Sequence, residues 1–206
     1  MKIITISREF GSGGRELGKR LAEELGIHCY DHEIIELIAK EHGFDERYVA
    51  NISEKCIEAA YPTTIGHRFA MPPVQIMDQG FQVAAAQQQI IENFAKQGDC
   101  VIVGRCGDYV LRDRKDVLRI FVYAPKEWRL AYGKENNMLQ AKDEKGIKDE
   151  IDKTDRNRAA YYNYYTQNRW GDAHNYDLAI NAALGHDACV KMILAAAEAK
   201  EKAMEG

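Results

Sequence analysis

A glycine-rich stretch near the start of the chain carries the residues best suited to chemistry. Residues 7–16 read Ser-Arg-Glu-Phe-Gly-Ser-Gly-Gly-Arg-Glu, with three glycines in four positions at Gly11, Gly13 and Gly14. Glycine allows positive φ and close backbone approach to a ligand, so that successive N–H groups can converge on an anion. A plain turn between a strand and a helix rarely needs three glycines. We therefore interpret residues 11–16 as a cradle for phosphate groups.

The stretch departs from the usual P-loop pattern. G-x-x-x-x-G-K can be placed over residues 13–19, but Arg20 then stands where a serine or threonine should bind Mg²⁺, and too little helix is left before the next glycine. Placed directly after the preceding apolar segment, the loop has Gly14 at the lysine position and Glu16 at the serine or threonine position. We adopt this second register, which lacks both side chains of the pattern.

An arginine can replace the missing lysine. Arg15 lies one residue beyond that position and can make bidentate contacts with β- and γ-phosphate oxygens, while Arg8 is a second candidate. Ser12 and Glu16 are both candidates for holding Mg²⁺, and the spacing does not choose between them. The residues assigned to ATP in this stretch are Gly11, Ser12, Gly13, Gly14, Arg15 and Glu16.

A dinucleotide-binding fold is the competing interpretation of the glycines. Asp31 lies twenty residues after Gly11, where such a fold has an acid for the ribose. Starting the dinucleotide pattern at Gly11, however, places Glu16 at its sixth position, where glycine or alanine is needed to seat the helix on the strand. The spacing therefore favours a phosphate loop.

The surrounding hydrophobic pattern predicts alternating strands and helices, which is typical of an α/β fold. Residues 2–6 are β-branched, as in a buried parallel strand, and apolar residues then recur at helical spacing from 15 to Gly26. The charged stretch 134–158 predicts a pair of exposed helices. Further strands are predicted at 27–30, 100–104, 117–123 and 177–181, and further helices at 32–42, 79–97 and 190–199.

The composition indicates one domain over residues 1–206. A net charge of −4 disfavours a nucleic-acid polymer or an anionic membrane as partner. Five scattered cysteines without a C-x-x-C pair disfavour a disulfide framework and a zinc site. No run approaches about 18 apolar residues, and the N-terminus lacks the apolar core of a signal peptide, so we expect a cytoplasmic protein.

Five segments of the chain, in this order, resemble the cytidylate kinase-like proteins, a bacterial branch of the nucleoside monophosphate kinases. They read ISREFGSGGRELG, YDHEII, VIVGRCGDYVL, DRNRAAYYNYYT and NYDLAIN. The resemblance implies a P-loop kinase core with a five-stranded parallel sheet flanked by helices, an acceptor-binding arm at 43–80 and a helical lid at 129–165. It also implies ATP and Mg²⁺ as cofactors and nucleotides as substrates.

The resemblance implies roles for five residues outside the glycine-rich stretch. Asp31 matches the acid near the acceptor nucleotide, and Arg105 matches the strand-end arginine that grips the acceptor phosphate. Asp155 and Arg158 match a D-x-x-R on the lid side that approaches the acceptor ribose or phosphate, and Arg129 falls near the start of the lid, beside ATP. The catalytic cations expected on these grounds are Arg15, Arg105 and Arg158.

The predicted function is therefore ATP-dependent phosphoryl transfer to a nucleoside monophosphate, with CMP or dCMP as the preferred acceptor. Two alternatives remain open, a kinase of another small-molecule acceptor and a non-catalytic nucleotide-binding regulatory protein. The four tyrosines within 161–165 surround a helix, so some of them are predicted to pack in the core rather than to stack on a base. Residues 61–74 hold three of the four prolines and are predicted to form a loop or extended arm, which could join two copies in a homodimer.

Overall fold

Strands and helices alternate along the chain, as the hydrophobic pattern predicts. The computed structural model describes residues 2–54 and 74–205. In chain order these residues form β1 (Ile3–Arg8), α1 (Gly14–Leu25), β2 (His28–Tyr30), α2 (Glu33–His42), α3 (Glu46–Glu54), α4 (Val74–Gln97), β3 (Cys100–Val103), α5 (Gly107–Val110), β4 (Val117–Tyr123), α6 (Lys126–Glu135), α7 (Glu144–Thr166), β5 (Leu178–Asn181) and α8 (His186–Glu205). None of the helices within these ranges is long and apolar enough to span a membrane.

The five strands form one sheet in the order β2-β3-β1-β4-β5, and every neighbouring pair is parallel. Ile6 of the central strand β1 is in register with Val103 of β3 and Ile120 of β4. Because the carboxyl ends of parallel strands meet at the same edge, the segments that follow β1, β3 and β4 lie side by side. The predicted five-stranded parallel sheet flanked by helices is confirmed.

Helices cover both faces of this sheet, as a parallel sheet requires. Ile4 and Ile6 of β1 belong to a core that α1 and α8 complete on one face. Ile3 belongs to the core on the other face, together with residues of α2, α3 and α4. The three isoleucines are at most 1% exposed. The central strand is therefore held from both sides, and its carboxyl end is a rigid platform for the residues that follow.

Outside the charged stretch, the predicted elements are present, and their ends differ most where the apolar pattern is weak. β4 has the predicted bounds. The last helix begins at His186 rather than 190 and continues to Glu205, because its final turns are rich in alanine, lysine and glutamate, which favour helix without needing burial. The charged stretch 134–158 holds one helix, α7, together with the last two residues of α6, so the predicted pair of helices within it is wrong. Most of the proline-containing segment 61–74 lies outside the described residues.

Candidate functional site

The connection between β1 and α1 has the geometry of an anion site. We call residues 9–13 the glycine loop. Gly11 and Gly13 both have a φ of 73°, in the left-handed region that residues with side chains rarely adopt. Gly13 is also the N-cap of α1, and it has no side chain with which to cap the first turn. The N–H groups at the start of α1 are therefore available to an anion, which the helix dipole also attracts.

A cavity of about 480 Å³, which we call the loop cavity, opens on this connection. One wall is the glycine loop with the first turn of α1. The opposite wall includes Tyr132 of α6 and the residues 136–138 that follow this helix, and Arg158 reaches in from α7. Arg15, Glu16 and most of the glycine loop line the cavity, as the sequence predicts for an ATP phosphate site. Its size suits the phosphate chain of a nucleotide.

Residues of α6 and α7 hold the backbone of the glycine loop. One carboxylate oxygen of Asp155 accepts a hydrogen bond from the Phe10 amide at 2.7 Å, and the other accepts from Arg129 Nη1 at 2.5 Å. Arg129 Nη1 also donates to the Phe10 carbonyl at 3.2 Å. Because Arg129 is only 7% exposed, its charge requires such partners. The glycine loop is thus tied to two helices by a buried ion pair.

Two residues that the resemblance singles out meet here. Asp155 is predicted at the acceptor and Arg129 beside ATP; both contact the glycine loop, and neither is among the lining residues of the loop cavity or of the crevice described below. The D-x-x-R spacing puts Asp155 and Arg158 one turn apart on α7. Asp155 contacts the glycine loop, and Arg158 lines both cavities.

Glu9 is a third residue, with Asp155 and Arg129, that holds the glycine loop in place. It was not predicted from the sequence. Its Oε2 atom accepts a hydrogen bond from the Ala124 amide at 3.2 Å and lies 3.4 Å from Arg129 Nε. Burial raises the pKa of Glu9, and the positive charge of Arg129 opposes that rise. The sequence signal was an acid directly after a buried strand, but only the packing of α6 reveals its partner.

The two candidates for holding Mg²⁺ have different surroundings. Ser12 is fully buried, and its hydroxyl donates to the Glu9 carbonyl at 2.9 Å, so it stabilises the glycine loop internally. Glu16 lines the loop cavity and pairs with Arg20 at 2.8 Å. Among the described residues, no group of three or more His, Cys, Asp or Glu side chains could hold a metal ion. The residues present suit a Mg²⁺ ion that arrives with nucleotide phosphates and needs few protein ligands, of which Glu16 is the candidate.

A second cavity, which we call the crevice, lies at the carboxyl ends of β1 and β3. It is narrow, about 40 Å³, and three arginines contribute to its walls. Arg8 and Arg158 also line the loop cavity, so the two cavities adjoin along these side chains. Arg158 Nη1 donates to the Arg8 carbonyl at 3.2 Å. The lining consists of Ser7, Arg8, Gly104, Arg105, Cys106, Arg158, Tyr161, Tyr162 and Trp170.

Arg105 enters the crevice from an unusual backbone. Gly104, Arg105 and Cys106 have consecutive positive φ values of 76°, 57° and 53°. A left-handed residue with a side chain costs of order 1–3 kcal/mol, so the surroundings must maintain it. Gln87 of α4 does so, because its Nε2 atom donates to the Arg105 carbonyl at 2.9 Å in a buried hydrogen bond. The sequence predicted Arg105 but gave no reason to single out Gln87.

Arg15 and Asp31 form an ion pair with each other across the ends of α1 and β2. The Arg15 side chain is 55% exposed, while Asp31 is 8% exposed and also lies 3.9 Å from Arg8 Nη2. Arg15 lines the loop cavity as expected. Asp31, predicted at the acceptor, is not itself among the crevice-lining residues but lies beside Arg8, which is.

Two of the four tyrosines within 161–165 are buried, in agreement with the prediction that some of them pack in the core. Tyr161 and Tyr162 are 4% and 3% exposed. The Tyr162 hydroxyl donates to Asp108 at 2.6 Å, and Ser7 Oγ donates to the same carboxylate at 3.3 Å. Burial raises the pKa of Asp108, and these two hydrogen bonds oppose the rise. Asp108 is a further residue that the sequence did not predict, since an acid in a short helix gives no sign of burial.

Comparison with known proteins agrees with this geometry. The profile of the cytidylate kinase-like family matches residues 3–183. The chain is 26% identical to an uncharacterized protein from Eubacterium ventriosum ATCC 27560, over 96% of this chain and 99% of that one, with a TM-score of 0.71. A comparison with curated protein sequences returned no match.

Two shikimate kinases share the fold at lower identity. The enzyme from Bacteroides thetaiotaomicron is 13% identical, over 93% of this chain and 95% of that one, with a TM-score of 0.54. The enzyme from Acinetobacter baumannii, solved in complex with shikimate, is 14% identical over 94% and 90%, with a TM-score of 0.52. The architecture is therefore that of P-loop kinases.

Proposed function

The chain belongs to the cytidylate kinase-like family, and we propose that it transfers the γ-phosphoryl group of ATP to a nucleoside monophosphate, with CMP or dCMP as the preferred acceptor. The observation that carries this proposal is the junction of the two cavities at the end of β1. Arg8 and Arg158 line both of them. A phosphate chain in the loop cavity and an acceptor phosphate in the crevice would meet between these two guanidinium groups.

The chemistry requires mainly positioning and positive charge. The bond between the γ-phosphorus and its bridging oxygen breaks, a bond to an oxygen of the acceptor phosphate forms, and ADP and a nucleoside diphosphate leave. The acceptor phosphate is already ionised, so no general base is needed. Backbone N–H groups of residues 11–16 would hold the donor phosphates, while Arg105 and Arg158 would hold the acceptor phosphate. Mg²⁺ bound to ATP would neutralise further phosphate charge, with Glu16, which lines the loop cavity, as a candidate ligand.

The narrow crevice has a consequence for the reaction cycle. A volume of about 40 Å³ holds only a few water molecules, so a nucleotide requires the crevice to widen. Arg158, Tyr161 and Tyr162 all belong to α7, within the proposed lid at 129–165. Movement of this part of α7 would admit the acceptor and then close over it, which would exclude water from the phosphoryl group. The arm at 43–80 remains a proposal for the acceptor side.

The same narrowness favours one alternative acceptor class. A small phosphorylated or carboxylated metabolite could use the three arginines of the crevice without a large opening. Such a kinase would keep the ATP site and would leave nucleoside monophosphates unphosphorylated. The two functions therefore differ in the acceptor and not in the donor site.

A coupled assay of ADP release tests the proposal. Purified protein with Mg·ATP is supplied with each nucleoside monophosphate in turn, and we expect turnover with CMP or dCMP above the rate of ATP hydrolysis alone. Arg158→Met should lower turnover by about 100-fold, as expected for loss of a transition-state cation. Arg156→Met, at an exposed position of the same helix, is the matched control and should leave turnover unchanged. Absence of turnover with every monophosphate, in protein shown to bind ATP, would reject the acceptor class.

A further inference from the structure

The side chain of Arg8 occupies the space that a residue at position 14 would need. A Cβ atom added to Gly14 would lie 2.7 Å from Arg8 Cβ and 3.1 Å from Arg8 Cγ. These atoms are close to the backbone of β1, so they cannot move aside cheaply. Gly14 is the first residue of α1 and is not among the glycines with positive φ, so its backbone would accept a side chain. The reason for glycine at this position is therefore Arg8 and not backbone strain.

Position 14 is the one that aligns with the lysine of a P-loop when the loop follows β1 directly. The side chain of Arg8 thus takes the place that the lysine side chain has in a P-loop. Where a lysine would project from the start of the helix, an arginine projects from the end of the neighbouring strand. Its stem lies along the glycine that replaced the lysine.

A second glycine accommodates the other end of Arg8. A Cβ atom added to Gly104 would lie 1.8 Å from Arg8 Nη1 and 2.9 Å from Arg8 Cζ. Gly104 also has a φ of 76°, a backbone conformation that favours glycine. The guanidinium group consequently passes over the end of β3 toward the crevice. Two glycines, one at each end of the side chain, leave room for this arginine.

The surroundings of Arg8 suit a cation that acts on a phosphoryl group in transit. Its side chain is 10% exposed, it lies 3.9 Å from Asp31 Oδ1, and it lines both cavities. Positive charge that is already in position in a partly dehydrated site stabilises a transition state more strongly than a mobile, hydrated charge does. Arg15, by comparison, is 55% exposed and pairs with Asp31 at the rim.

We propose that Arg8 supplies the positive charge that a lysine supplies in a P-loop, and that it contacts the phosphoryl group passing between the two cavities. Arg15 then has the lesser role of supporting Asp31 and the outer phosphates. This inference rests on the proposed function for its meaning in catalysis, but its claim about the donor phosphates can be tested by binding alone.

The test moves the positive charge from position 8 to position 14. Binding of Mg·ATP and of inorganic tripolyphosphate is measured by calorimetry for wild type, Arg8→Met, Arg8→Gly, Gly14→Lys and the double variant Arg8→Gly/Gly14→Lys. Transfer is measured in parallel with the best acceptor. Arg8→Met keeps most of the apolar stem and should lower the transfer rate by about 100-fold. Gly14→Lys alone should weaken binding because its side chain collides with Arg8.

The double variant is the decisive one. Arg8→Gly removes both the Cβ and the Cγ atoms that crowd position 14, so Arg8→Gly/Gly14→Lys should bind tripolyphosphate at least about 10-fold more tightly than Arg8→Gly. Thermal unfolding shows which variants fold, and if Gly14→Lys does not, the comparison of Arg8→Gly with the double variant still decides. Arg156→Met controls for the general loss of a positive charge.

Each outcome has a defined meaning. Equal binding by Arg8→Gly and the double variant, or a loss of transfer in Arg15→Met larger than in Arg8→Met, overturns the role of Arg8. Wild type that binds ATP without phosphorylating any acceptor rejects the proposed function, while the binding results still decide on Arg8. Wild type that binds neither ATP nor tripolyphosphate overturns both.

Discussion

The loop cavity and the crevice are built in opposite ways, although they share Arg8 and Arg158. The loop cavity is wide, about 480 Å³, and its floor is backbone that Gly11 and Gly13 allow to curve. The crevice is about 40 Å³ and is walled mainly by arginine and aromatic side chains. A backbone cradle recognises any phosphate chain, whereas side chains that nearly fill a crevice select what enters. Under the proposed function, donor binding is therefore generic, and acceptor identity depends on the packing of α7 and of the residues after β3.

Removing the ion pair between Asp155 and Arg129, which holds the glycine loop, should cause the largest loss of stability. Asp155→Asn removes the carboxylate that pairs with buried Arg129, and loss of one partner of a buried ion pair costs about 3 kcal/mol or more. We expect that loss in the free energy of unfolding measured with urea. Asp152→Asn is the matched control, since its pair with Lys126 joins the same two helices at the surface and should cost less than about 1 kcal/mol. Similar losses in both variants would show that the buried pair does not hold the loop.

The sequence was sufficient to predict the glycine loop, which forms the backbone floor of the loop cavity. Glycines after a β-branched strand predicted the glycine loop, and the pattern of 117–123 predicted β4 with its bounds. It was insufficient for the residues that hold this loop. Asp155 and Arg129 are 26 residues apart and belong to a densely charged region, in which a buried pair cannot be distinguished from solvated charges by spacing.

The crevice was harder to predict for the same physical reason. Arg105 was evident because it follows a buried strand, but the roles of Gln87 and Asp108 depend on contacts with distant residues. Arg8 was identified only as a second candidate behind Arg15. Which arginine is buried follows from the space left by Gly14 and Gly104, and that space exists only in the folded chain.

Removing the charge of Arg105 should impair use of the acceptor without weakening the binding of Mg·ATP. Arg105→Met should lower kcat/KM for the acceptor by about 100-fold, because a cation near the transferred group is lost. The affinity for Mg·ATP should stay within about 2-fold of wild type, since Arg105 is not part of the loop cavity. Steady-state kinetics and calorimetry measure the two quantities. Equal losses of acceptor and ATP affinity would mean that the cavities do not act as separate subsites.

Gln87 should act on the crevice through Arg105. Gln87→Met keeps the size of the side chain but removes the donor to the Arg105 carbonyl, which should cost about 1–2 kcal/mol of stability. Because the left-handed backbone then loses its support, we expect kcat for the acceptor to fall while KM for ATP is unchanged. Gln88→Met is the control, because Gln88 is exposed and its side chain donates to Glu92 on the same helix. An unchanged kcat in Gln87→Met would leave Gln87 a purely structural role.

The two cavities should also respond to pH with opposite signs. Burial raises the pKa of Asp108 near the crevice, so the folded state binds the proton more tightly than the unfolded state, and this contribution to stability is lost as pH rises above the ordinary value of 3.8. Burial lowers the pKa of His186 beside the glycine loop, with Arg20 adding to the effect, so stability is lost as pH falls through 6.5.

Thermal unfolding from pH 4 to 8 measures these contributions, which we expect to be the smallest effects. Relative to wild type, Asp108→Asn should gain stability as pH rises, because it no longer pays for a buried charge. His186→Gln should lose less stability than wild type as pH falls below 6.5. Parallel pH profiles for wild type and both variants would show that neither Asp108 nor His186 makes stability depend on pH in this way.

Transfer of phosphate between the two cavities is tested most directly by ³¹P NMR of wild-type protein with Mg·ATP and CMP. The account predicts that the γ-phosphate resonance of ATP is lost while resonances of ADP and of a cytidine diphosphate grow in equal amounts. Formation of inorganic phosphate in place of the diphosphate, or an unchanged ATP spectrum with CMP, dCMP and every other nucleoside monophosphate, would contradict it.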